Sequence, residues 1–226
     1  MSRNLTLALL LFSAGCMADA VTPADTPPDT TPPTTMPPPT TNNPPVDTIV
    51  PSNNARVRFK GGQRFAAALA SGLELAPAEV CQELGQYDCV DAVHNIALGG
   101  IEPYRNGILE PLPETTVTTP IAADRVALAA CTTRAEEDFA DLPNAKIFAG
   151  LTVADGALAD VDDASVEAVV QRLYQRLVTR DATAEEVEAL RGLYREMAAT
   201  PTADLAEAWA AVSCYAIAST MEALFY

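Results

Sequence analysis

Eleven of the chain's eighteen prolines fall between Pro23 and Pro51, and no other feature narrows the choice of fold as much. Proline fixes φ and has no backbone N–H, so a segment this rich in it joins neither a helix interior nor a sheet ladder. Thr, Asp and Asn fill most of the remaining positions. Such a composition offers too little apolar surface to bury, which predicts a disordered, polyproline-like stalk over residues 16–52. At ~3.1 Å per residue it reaches on the order of 110 Å at full extension.

Residues 53–226, beyond the stalk, are one domain's worth of chain and enough for a core. They carry 26 of the 30 acids and 13 of the 14 bases, a balance of −13. That sign argues against nucleic acid as a partner, since phosphate binding needs the opposite charge. Arg56, Arg58, Lys60 and Arg64 form a local basic cluster where stalk meets domain. It reads as a solvated edge, with contact to an anionic headgroup or an acidic partner as the competing reading.

With Cys16 set aside, Cys81, Cys89, Cys131 and Cys214 are an even set, which in an exported chain favours two disulfides. Three pairings are open. The favoured one joins Cys81 to Cys89 across a short loop and Cys131 to Cys214, each on an apolar helix stripe. Zinc is the rival reading, but there is no CxxC pair and only one histidine.

The periodicity predicts a mainly α fold: a single compact helical domain of about six to seven helices with a long ordered loop. Phe65, Leu69 and Leu73 mark a first helix over 63–75. Two short helices, 78–84 and 89–96, are expected next, the second capped by Asp88 and ended by Gly99-Gly100. Gly and Pro breakers make residues 99–119 the loop. Thr119-Pro120 opens a helix to about Ala140 that is expected to bury Ile121, Leu128, Cys131, Ala135 and Phe139. Near its end Glu136, Glu137 and Asp138 read as an exposed face, with Arg134 offsetting Asp138 one turn away. Residues 146–153 are expected to form a short strand or a loop. A helix over 164–179 is expected to carry Val166, Val169, Val170, Leu173 and Leu177. Thr183 with Glu186 is a capping box for the next. Thr200-Pro201 is expected to start a last, central helix reaching about Ser219, bearing Leu205, Trp209, Val212, Cys214, Ile217 and Met221, after which Leu224-Phe225-Tyr226 docks.

Ahead of the stalk, Arg3 and the apolar run Leu5–Phe12 have the form of an export signal too short to span a bilayer. The Ser13-Ala14-Gly15-Cys16 immediately after it resembles the lipobox of bacterial lipoproteins, with Ser13 where that family usually has Leu. The resemblance implies a cleaved signal peptide over 1–15, acylation of Cys16 and a membrane anchor of several chains. By the sorting rule of such lipoproteins, Met17 and Ala18 imply the outer membrane. A second resemblance covers residues 173–226: Leu173-Tyr174-Gln175-Arg176-Leu177, Asp181-Ala182-Thr183-Ala184-Glu185-Glu186 and the ending Ala218–Tyr226. It is similar to a helical module of exported planctomycete and myxobacterial proteins, often beside c-type cytochrome domains. Those motifs are structural and imply fold and compartment. No CxxCH exists here, so no haem or other cofactor is implied.

Catalytic templates fail throughout. His94, with Asp91 three residues earlier, lacks any G-x-S-x-G or S-x-x-K partner, and there is no HExxH, P-loop or G-x-G-x-x-G. Asp160, Asp162 and Asp163 open no EF-hand, since Ser165 and Gln171 stand where Gly and Glu are required. They read instead as an acidic helix cap. The expectation is therefore a tethered, non-enzymatic domain that binds or scaffolds an envelope protein, with no catalytic, metal or cofactor residues. An accessory subunit of an exported cytochrome complex and a periplasmic hydrolase using scattered carboxylates are the alternatives.

Overall fold

The computed structural model describes residues 57–104, 107–111, 115–200 and 202–226. The expected signal peptide, Cys16, the Pro/Thr stalk, Arg56, Pro113 and Pro201 lie outside the described residues. The described chain is mainly helical. Its helices are α1 (Gly62–Leu73), α2 (Thr119–Ala140), α3 (Ala164–Leu177), α4 (Ala184–Ala198), α5 (Leu205–Ala218) and the short α6 (Met221–Leu224). Two antiparallel hairpins accompany them, β1 (Gln82–Glu83) with β2 (Tyr87–Asp88) and β3 (Val153–Ala154) with β4 (Ala157–Leu158).

Alanine decides the centre. Along α2 the buried positions after Thr119 are Ala122, Ala123, Val126, Ala127, Ala130, Cys131, Arg134, Ala135 and Asp138. Ile121 and Leu128, expected inside, are 62% and 46% exposed. Small side chains let α2 lie close against α5, and that close packing turns the larger apolar residues outward. Helix α5 is central as expected. Its Trp209, Ala210, Ser213, Cys214 and Ile217 are buried, and it touches α2, α3, α4 and β4. The Trp209 indole donates to the Leu190 carbonyl at 2.8 Å, and Tyr194 meets its ring edge-on at 6.2 Å.

The last long helix starts later than Thr200-Pro201 predicts. Asp204 sits at φ 56, and the Ala206 N–H donates to the Gly156 carbonyl at 2.8 Å. The β3–β4 turn thus sets the first turn of α5. Gly156 lies at φ +78, and a Cβ there would stand 3.1 Å from the Asp204 nitrogen, so both conformation and contact call for glycine. Met221, expected to be buried, is exposed beyond the helix end.

Residues 78–84 are not a helix. One 3-10 turn, Pro77–Glu79, leads into the β1–β2 hairpin, whose ends are joined by the Cys81–Cys89 disulfide. Leu84 and Gly85 both adopt positive φ to turn the chain. A cross-link between residues eight apart with Cα atoms 5.5 Å apart requires the chain to double back, which a continuous helix cannot do. Asp88 caps as expected, accepting from the Val90 and Asp91 N–H groups, but the turn it opens ends at Val93. Residues 146–152 are loop, one of the two expected outcomes, and an unexpected hairpin follows them.

The first described residues and the last are paired. The Arg58 and Tyr226 backbones exchange two hydrogen bonds of 3.1 Å, the Lys60 N–H donates to the Leu224 carbonyl at 2.9 Å, and Phe59 packs edge-on against Phe225. The ending docks, as expected.

Helix α3 begins on Asp163, whose carboxylate accepts from the Ser165 N–H, and α4 begins on the Thr183–Glu186 capping box. Between them Arg180 is held by three side chains. It bonds both Glu186 oxygens and Glu222, and its guanidinium lies 4.9 Å above the Tyr174 ring. These contacts form a joint linking α3, α4 and α6. The Arg180 hydrogen bonds, helped by the Thr183 N–H, hold the Glu186 carboxyl down to about 2 from an ordinary 4.5. A depressed carboxylate stabilises the fold above the unfolded-state value and stops doing so as pH falls through the folded one. Glu186 is 27% exposed, so solvent moderates the effect. In urea titrations from pH 5 to 2, the unfolding midpoint of Glu186→Gln is expected to fall less with pH than that of the parent chain.

Candidate functional site

Between residues 78 and 133 the domain builds a groove from two walls. One wall is the 3-10 turn with Cys81 and β1, and the other is the outward face of α2 from Arg125 to Thr133, with a volume of about 550 Å³ between them. At 1.5 Å per residue, that stretch of α2 runs for about 12 Å. Glu83 joins the walls. Its Oε1 lies 2.7 Å from His94 Nε2 and 3.3 Å from Arg125 Nε, so one carboxylate oxygen ties the hairpin to the turn after it and to α2.

One His94 ring nitrogen is thus paired with a carboxylate. Asp91, three residues earlier, accepts from Gln63 instead. The pair His94 and Asp91 that the spacing suggests is thus split between two neighbours.

Leu128, on the α2 wall of the groove, is an exposed apolar residue. Leu84, at the hairpin turn, is 88% exposed, and Tyr87, Val93 and Ile121 are exposed as well. Nine of the twelve exposed large apolar side chains among the described residues lie between 84 and 128, and none lies between 129 and 220. Scattered exposed apolar residues are ordinary; a contiguous patch of them is what marks a contact surface.

A second concavity, of about 650 Å³, lies where residues 57–61 meet 96–99, 115–119 and the last two residues. Its polar groups serve the chain itself. The Thr119 hydroxyl donates to the Ala97 carbonyl at 2.6 Å and accepts from the Thr116 N–H, and the Lys60 ammonium donates to the Ala223 carbonyl at 2.8 Å. Arg64 lies 5.9 Å over the Tyr226 ring. Two members of the basic cluster therefore brace the C-terminal residues.

The acidic clusters also separate in space. Asp160 accepts from the Asp162 N–H, Asp162 pairs with Arg195 at 2.6 Å, and Asp163 caps α3. Among the described residues no group of three His, Cys, Asp or Glu side chains could hold a metal ion. In the 136–138 run, the expected exposed face is corrected at Asp138, which is 2% exposed beside an equally buried Arg134. Their charged atoms are 3.0 Å apart, and Glu137 binds the same guanidinium from outside at 2.6 Å. The Asp138 carboxylate also accepts from the Lys146, Ile147 and Phe148 N–H groups. Glu207 is pushed above the usual carboxylate range, first by burial and then by Asp204 and Glu136.

The disulfides join Cys81 to Cys89 and Cys131 to Cys214, all four buried. The lipid-attachment residue, Cys16, lies outside the described residues. Sequence reasoning missed the Glu83–His94–Arg125 contact, which joins residues up to 42 apart and leaves no periodic trace. No family model, no curated protein and no solved structure matches the chain.

Proposed function

We propose that this chain is a lipid-tethered protein of the cell envelope, anchored through Cys16 in the outer membrane. Its helical domain binds another envelope protein and performs no catalysis of its own. One observation supports the binding half of the reading: of the twelve exposed large apolar side chains among the described residues, nine fall between 84 and 128, including Leu128 on the groove wall, and none between 129 and 220. The lipobox-like Ser13-Ala14-Gly15-Cys16 and the proline-rich stalk carry the tethering half. No helix among the described residues is long and apolar enough to cross a membrane.

Two measurements test the two halves. Fractionation of cells carrying Cys16→Ser is expected to move the protein from the membrane to the soluble envelope fraction, and a variant that stays with the membrane defeats the anchor. For binding, a photoreactive residue is placed singly at Tyr87, Leu128, Glu185 and Glu188 of the full chain in its native envelope. Cross-links to a protein are expected at the first two positions. Absence of protein cross-links at all four overturns the reading.

A further inference from the structure

We infer that the groove between β1 and α2 receives a cationic, amphipathic segment of the partner protein, an inference that rests on the binding function proposed above. The floor and one rim are apolar: Cys81 and Ala129 line it and Leu128 stands exposed beside it. An occupant must therefore bring apolar side chains to cover that surface. Charge then selects among apolar occupants. Among the residues that line the groove, Glu79 and Glu83 are acidic and the base Arg125 already lies against Glu83, in a domain whose overall balance is −13. Glu79 is exposed on the groove wall itself, and Glu136 continues the same face of α2 one turn beyond Thr132.

The domain's net negative charge, with Glu79 on the groove wall, disfavours two occupants that the chain itself would supply. The chain's own stalk has Asp19, Asp25, Asp29 and Asp47 and no Lys or Arg from residue 4 to residue 55. A second copy of the domain would bring another balance of −13 to the same place. Like charges brought together at a partly desolvated rim are disfavoured, whereas Lys or Arg flanking an apolar stripe is matched on both counts. The α2 wall, about two turns long, fits a short segment better than a broad surface.

The test uses the full chain carrying Cys16→Ser, which keeps it out of lipid, and fluorescently labelled peptides of about four helical turns. One peptide carries Leu and Lys at helical spacing, one has Glu in place of each Lys, and one is the Lys-rich peptide with its Leu changed to Ser. Anisotropy titrations are expected to show saturable binding of the Leu/Lys peptide, weakened by salt, and at least tenfold weaker binding of the other two. Leu128→Lys and Glu79→Lys, both at exposed positions, are each expected to weaken it at least tenfold. Glu185→Lys, on α4, makes the same charge change elsewhere and is expected to leave it within twofold. Equal binding of the Leu/Glu peptide, no saturable binding, or equal losses in all three variants overturns the inference. If that happens while Tyr87 or Leu128 still cross-links to a protein in the envelope, the inference falls and the proposed function stands. Without any cross-link, both fall.

Discussion

Asp138→Ala is expected to lower the unfolding free energy of the domain by about 3–5 kcal/mol, the cost of breaking a buried ion pair by removing one partner. Arg134 remains 2% exposed with its charge unmatched from within, since Glu137 reaches it only from the outer side. Three N–H groups, of Lys146, Ile147 and Phe148, lose their acceptor at the same time. Ile147 and Phe148 are fully buried, so water cannot easily replace the carboxylate. Arg134 Nη1 also lies 3.4 Å from the carbonyls of Leu73 and Glu74, which extends the damage to the end of α1. Urea unfolding followed by circular dichroism measures the loss. Asp138→Leu combined with Arg134→Met is expected to lose less than Asp138→Ala, because it leaves no uncompensated charge. A single-variant loss below about 1 kcal/mol defeats the account.

Removing the Cys131–Cys214 disulfide by alanine substitution at both positions is expected to cost about 4 kcal/mol. That corresponds to a fall in Tm on the order of 10 °C for a domain of this size. The bond spans 83 residues, so it removes much of the freedom of the unfolded chain between α2 and α5. The Cys81–Cys89 bond spans only eight residues, and its loss is expected to cost about 2–3 kcal/mol on the same reasoning. Thermal melts of the two double variants give the comparison directly. Equal losses, or a larger one for the short loop, would show that native packing around the sulfurs outweighs chain entropy.

Much of the helical content was legible because it is periodic. Phe65, Leu69 and Leu73, the valine stripe of α3 and the Thr183–Glu186 box all occupy the places their spacing predicts. In α2 size and burial part company. Ile121 and Leu128 are the larger apolar residues of α2, yet the close approach of α5 selects its alanines. Reading the alanines as the buried stripe carries it on through positions 127, 130, 131, 134, 135 and 138, which puts Arg134 and Asp138 inside. That signal was present in the spacing. It was overridden by the general tendency of charged residues to face water.

The groove was not legible at all. Its walls come from segments more than forty residues apart, and Glu83 reaches His94 and Arg125 only because the hairpin folds back at Leu84 and Gly85. A short helix and a short hairpin look alike over seven residues, and the covalent bond between Cys81 and Cys89 decides for the hairpin.

By itself the sequence determined the class of the fold, the cysteine set, the helix starts at Asp163 and Thr183 and the exclusion of every local catalytic template. Each of these is a matter of composition or of spacing within a few turns. Tertiary structure alone decided which face of α2 is wet, where α5 begins and which acids are buried. Those outcomes depend on how closely two distant helices approach, and close approach is a property of the packed pair that neither helix carries in its own pattern.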